Sequence, residues 1–109
     1  MLNLSVLLAL LSTVESNNNR YAVNQSEGAY GILQIRQCVL DDVNSYYGKS
    51  FTLEDCFSPT VSRWVCLRYL ERWDALGSYE EAARTWNGGP RGPTKKSTEK
   101  YWKKVKSLL

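Results

Sequence analysis

The 109-residue chain contains no histidine, which removes Ser-His-Asp and Cys-His nucleophilic arrangements and histidine-liganded zinc or haem at once. It has three cysteines, Cys38, Cys56 and Cys66, with no paired CxxC spacing, so neither a structural zinc site nor any other metal or cofactor is expected. An odd count permits at most one internal disulfide. Spacing leaves the pairing open, and small buried hydrophobes are the expected role. Glycine and proline are scarce, at 7 and 3 residues, and charged residues make up 23%, which excludes disordered and fibrous classes. No apolar run is long enough to span a bilayer. Leu2 to Leu11 imitates a secretion signal but lacks a basic start and a small-residue cleavage site, and reads as a first core helix. What is present is 43% hydrophobic and 12% aromatic with a net charge of +3. One domain over residues 1–109 is expected, able to bury roughly two-thirds of its unfolded surface.

Periodicity supplies the architecture. Leu4, Leu7, Leu8 and Leu11 recur at i, i+3, i+4 and i+7, the spacing of an amphipathic helix, and Ser16-Asn17-Asn18-Asn19 ends it. Short β-prone pieces, Tyr21 to Val23 and Tyr30 to Ile35, flank the polar stretch from Asn24 to Gly28 and predict a small hairpin. Ile35, Val39, Val43 and Tyr46 predict a second helix stopped by Gly48. Ser58-Pro59 starts a third, with Val61, Val65, Tyr69, Trp73 and Leu76 carrying it to Gly77. Ser78 with Glu81 is a capping box for a fourth, ending at Asn87-Gly88-Gly89-Pro90. Ser97 or Thr98 opens the last, with Tyr101, Val105 and Leu108 buried. The expected fold is mainly α, about five helices around a small β-hairpin.

Glu15 is the first candidate for chemistry. It follows Leu4, Leu8 and Leu11 at spacings of four, three and four, and so continues the apolar stripe at the C-terminal end of the first helix. Desolvation and the negative end of the helix dipole both raise a carboxyl pKa there, as a general acid requires. An ordinary helix-end glutamate turned to solvent is the competing possibility.

Three ordered segments bear on the choice: Glu15-Ser16, then Gly28-Ala29-Tyr30-Gly31-Ile32-Leu33-Gln34-Ile35, then Ala82-Ala83-Arg84-Thr85-Trp86-Asn87-Gly88-Gly89-Pro90. With a terminal helix containing Tyr101, they resemble the soluble lytic transglycosylase family, whose pattern is E-S, G-A-x-G-L-M-Q-I and A-x-x-Y-N-x-G-P. Goose-type and phage lysozymes are its broader relatives. The resemblance implies a lysozyme-like α+β fold and cleavage of the β-1,4 bond between N-acetylmuramic acid and N-acetylglucosamine. Glu15 would be the catalytic acid. Gly28, Ala29 and Gly31 would let backbone approach the sugar, Gln34 and Asn87 would bind its polar groups, and Tyr101 would line the cleft near Glu15. Trp86 stands where the family has tyrosine, and is read either as a stacking surface or as a core residue. Arg36-Gln37-Cys38 replaces the family's proline-containing segment, so that wall is undefined by analogy.

The resemblance implies one glutamate acting as acid and then base, with the muramic acid 6-hydroxyl as nucleophile. A hydrolytic lysozyme needs a second carboxylate, for which Glu27 at the hairpin tip is the candidate, while Asp41 and Asp42 read as surface residues. Lys95, Lys96, Lys100, Lys103, Lys104 and Lys106 form a basic patch suited to an anionic cell wall. The patch lacks a nucleic-acid-binding motif. Expected partners are therefore peptidoglycan glycan strands and the anionic wall, with no nucleic acid and no membrane span, for a monomer acting in the periplasm or outside the cell, or encoded by a phage. A catalytically silent wall-binding module is the reading from outside enzymology.

Overall fold

In the computed structural model, which describes residues 2–109, helix α1 spans Leu4–Ser16. The Asn3 side chain accepts from the Val6 N–H at its start, and Asn17 at φ 53° ends it in the left-handed conformation that the asparagine run tolerates. The buried face is Leu7, Leu8, Leu10 and Leu11, whereas Leu4 is 43% exposed. The stripe is thus displaced from the predicted one, but it still leads to Glu15, four residues beyond Leu11.

The hairpin is shorter than its β-prone flanks. Strand β1 is Val23–Asn24 and strand β2 is Ala29–Tyr30, antiparallel, with Val23 opposite Tyr30 and Asn24 opposite Ala29. Beyond β2 the chain does not continue as a strand. Gly31 (φ 84°) and Gln34 (φ 54°) turn it back, and Tyr30 and Ile35 exchange both backbone hydrogen bonds at 3.0 Å. The closed loop drives Ile32, Leu33 and Ile35 into the core. Burial rather than pairing explains their apolar, β-prone character.

Helix α2 covers Gln37–Tyr47 and buries Val39, Leu40 and Val43 before Gly48 caps it at φ 66°. Ile35 lies outside this helix, and Tyr46, predicted on its inner stripe, is 58% exposed. Tyr47 packs inward instead and donates from its hydroxyl to the Arg68 carbonyl. Helix α3 runs Pro59–Arg72 from the Ser58 cap, ending short of the predicted Gly77. Asp74, at φ 52°, takes the left-handed position beyond the end. Its N–H bonds the Glu71 carbonyl and the Ala75 N–H bonds the Leu70 carbonyl, a Schellman closure made without glycine.

Helix α4, Tyr79–Gly88, starts at the Ser78 cap and ends at Gly89. Helix α5 covers Glu99–Lys106, with Val105 buried, while Leu108 lies beyond the helix at 48% exposure. The buried Thr98 hydroxyl donates to the Gly92 carbonyl and accepts from Arg84, holding the segment between the two helices onto α4. One hydrophobic cluster joins the helices to the loop after β2. Cys56 and Cys66 sit in it as expected, but Cys38, in the first turn of α2, is exposed; all three thiols are free. Among the described residues no helix is long and apolar enough to cross a membrane.

Candidate catalytic cleft

Glu15 reaches the cleft because α1 delivers it one turn past Leu11, where the core gives way to a cavity. The cavity has a volume of about 180 Å³ and is lined by Glu15, Glu27, Ala29, Gln34, Trp86 and Asn87 among others. Residues separated by most of the chain thus converge from α1, the hairpin, the loop after it and α4. Helix α5 supplies the partner: the Tyr101 hydroxyl donates to Oε2 of Glu15 at 2.8 Å.

The Glu15 carboxyl is pushed up to about 7, chiefly by burial, which disfavours the charged form. The Tyr101 hydrogen bond, Arg36 and Lys104 pull it down, while Glu27 adds to the rise. Burial, then the charge and hydrogen bond of Glu15, hold the Tyr101 hydroxyl well above the usual tyrosine range, so it remains a donor. The resulting group holds its proton near neutrality beside an open cavity.

Ser16, the second member of the E-S pair, does not face the cavity chemistry. Its hydroxyl donates to the Ile32 carbonyl at 2.8 Å and accepts from the Asn19 N–H. That bond ties the end of α1 to the loop that carries Gln34, and so sets the position of Glu15 against the opposite wall.

The remaining predicted site residues divide. Ala29 and Asn87 line the cavity. Gln34 lines it too, but its amide nitrogen donates to the Ala22 and Gly31 carbonyls, at 3.2 and 3.0 Å. Both donors are therefore spent on its own loop, and only the amide oxygen is left to accept from a ligand. Trp86 is 5% exposed, donates from its indole N–H to the Leu33 carbonyl and stands edge-on to Tyr69 at 5.8 Å. It is a wall of the cleft anchored in the core, with no exposed face on which a sugar could stack.

Gly28 and Gly31 are not among the residues lining this cavity. Gly28 serves a left-handed turn at φ 62° with open space around it. Gly31, at φ 84°, lies so near the Cys56 carbonyl that a Cβ would overlap it; its smallness serves internal packing. Glu27 is exposed on the hairpin and accepts from the Asn24 side chain at 2.9 Å, yet shares the cavity with Glu15. Asp41 accepts from Gln37, and Asp42 from Arg72 and the Trp73 indole; neither lines this cavity.

Sequence reasoning missed Arg36 and Asn24 as cavity residues. Arg36 precedes α2 in the segment that departs from the family pattern, and no periodicity marks it. Among the described residues, no group of three or more histidine, cysteine or acidic side chains is arranged to hold a metal ion.

Comparison with known proteins supplies the family. Residues 2–109 match the family described as the transglycosylase SLT domain. The chain is also 35% identical over 80 residues to the protein named lysozyme 1 of Crassostrea virginica, an alignment covering 71% of this chain and 43% of that protein. The chain thus spans less than half the length of that relative. With Glu15 from the end of α1, Ala29 and Gln34 from the hairpin and the loop after it, and Trp86 and Asn87 from α4 gathered at one cavity, and a family match over residues 2–109, this chain belongs to the transglycosylase SLT domain family.

Proposed function

We propose that this chain is a peptidoglycan-cleaving enzyme, a lytic transglycosylase that breaks the β-1,4 bond between N-acetylmuramic acid and N-acetylglucosamine. The observation that carries this reading is Glu15, half-buried at the cavity and hydrogen-bonded to Tyr101, where burial pushes its carboxyl up to about 7. The Glu15 proton passes to the glycosidic oxygen as the C1–O bond breaks. The substrate's N-acetyl oxygen then bonds to C1 and shields the oxocarbenium charge. Glu15, now a carboxylate held by Tyr101, takes the proton of the muramic acid 6-hydroxyl as that oxygen attacks C1 and displaces the N-acetyl oxygen, which restores the acetamide, returns the acid form of Glu15 and leaves a 1,6-anhydro end. No water is consumed, so a single carboxyl suffices. The Gln34 amide oxygen and the Asn87 amide are the sugar-binding groups of this reading, with Ala29 and Trp86 as walls.

A second reading, hydrolysis with Glu27 as the second carboxylate, is supported by its presence in the same cavity. Its exposure and its bond to Asn24 favour it less. In either case residues 1–109 act as one domain and as a monomer at the bacterial wall, in the periplasm or outside the cell. The exposed Lys100, Lys103, Lys104 and Lys106 then face the anionic polymer.

Mass spectrometry of the fragments released from purified walls tests the reaction. Anhydro ends are expected, and they should persist in Glu27→Gln. Reducing ends that vanish in Glu27→Gln would identify a hydrolase instead, and release of neither product would sink both readings.

A further inference from the structure

A second, larger cavity of about 590 Å³ adjoins the first, and the two share Arg36, Val39, Trp86 and Asn87 as a common wall. Its charges are unbalanced. Asp42 is the acidic residue lining it, and Asp42 is occupied by Arg72 at 3.2 Å and by the Trp73 indole N–H at 2.8 Å. Arg36 and Lys95 also line the cavity, and among the described residues neither has a carboxylate within ion-pair distance. Arg36 is half-buried, and Lys95 is held by its ammonium group on the Gly88 carbonyl at 2.7 Å. The Arg36 charge is felt by Glu15 across the shared wall but, among the described residues, is paired with no carboxylate. Its donors therefore remain free for an anionic ligand, and its planar fork suits a carboxylate.

We propose that this cavity receives the carboxylate-bearing substituent on O3 of the muramic acid, bound by Arg36 and assisted by Lys95. The inference rests on the reading of peptidoglycan as substrate. The 3-O-lactyl group of that sugar ends either in its own carboxyl or in a peptide with free carboxylates, and both present the same anion to Arg36. Because Arg36 lines both cavities, the substituent would bind one side of the shared wall while the glycosidic bond lies at Glu15 on the other. Arg36 thereby separates wall glycan from neutral N-acetylglucosamine polymers, which have the same backbone and lack the anion.

The test measures binding to the Glu15→Gln protein, so that no turnover is needed. Affinities are compared for three ligands: a peptide-bearing muramyl disaccharide, its peptide-free counterpart with a free lactyl carboxyl, and a neutral chitooligosaccharide. Arg36→Gln should lower the anionic-to-neutral affinity ratio by about tenfold, the size of one charge-assisted hydrogen bond, and Arg36→Lys should restore part of it. Which anionic ligand shows the effect identifies the carboxylate, and either supports the assignment.

Cys38 gives a second readout. It is exposed and lines the same cavity, whereas Cys56 and Cys66 are buried with their thiols pushed up. Iodoacetamide should therefore modify Cys38 selectively, and more slowly when the anionic ligand is bound. An unchanged affinity ratio in Arg36→Gln, or no protection of Cys38 at saturating ligand, would overturn the proposal. Failure of the wild-type protein to cleave walls would count against the reaction alone, since the binding ratio remains measurable.

Discussion

Replacing Glu15 by glutamine abolishes wall clearing, by about 10²- to 10⁴-fold, and makes the folded chain more stable at pH 8. The first effect follows from removal of the only proton donor the cleavage reading supplies at the scissile oxygen. The second follows from linkage. The carboxyl titrates near its ordinary value of 4.5 in the unfolded chain and at about 7 in the folded one, so the folded state binds the proton more tightly. Its contribution is fully present below pH 4.5 and is lost as pH rises through 7. Above that the wild-type fold carries a buried charge costing on the order of 3 kcal/mol. Glutamine keeps an acceptor for Tyr101 and never ionises. Urea denaturation at pH 5 and pH 8 should show the wild-type midpoint falling and the Glu15→Gln midpoint holding. Equal pH dependence in both would remove Glu15 as a buried titrating acid. In the wild type, turnover should fall as pH rises past about 7, because the acid form is then depleted.

Gly31→Ala should destabilise the fold by about 3 kcal/mol, roughly 12 °C or more in melting temperature for a chain of this length. The added methyl would overlap the Cys56 backbone carbonyl, and that oxygen also accepts from the buried Ser62 hydroxyl, so it has little room to retreat. The φ of 84° adds a backbone cost of its own. Gly28→Ala is the control. It is left-handed at 62°, but an added methyl would meet nothing within 4 Å, so only the backbone cost of about 1–2 kcal/mol applies. Thermal melts of both variants decide the matter. Comparable losses would show that Gly31 is retained for its dihedral rather than for close packing against Cys56.

The two glycines show where sequence reading loses its grip. Both belong to the same motif and look alike in it. One answers to local geometry, the other to a carbonyl 25 positions away in sequence. Gly92 is a stronger case: it carries no motif signal, yet a methyl there would overlap the Arg84 backbone in α4, so the turn following that helix depends on it. Trp86 was open to two readings, and only its depth beside Leu33 and Tyr69 separates a core wall from a sugar platform. The end of α3 was misplaced for a related reason. Asp74 adopts a left-handed cap that glycine usually signals, so nothing before Gly77 announced the stop.

Local signals survived intact because the physics behind them acts over a few residues. The Ser58-Pro59 and Ser78 helix starts, the asparagine stop after Glu15, the Gly48 cap and the spacing of Leu7, Leu8 and Leu11 depend on hydrogen bonds and side-chain directions within one or two turns. The same spacing placed Glu15 at the end of an apolar face. The degree of its burial, the Tyr101 hydroxyl on its carboxylate and the Arg36 wall between two cavities arise from packing among distant segments. No window of sequence contains them, because a carboxyl pKa answers to the solvent and charges within a few ångströms rather than to its chain neighbours.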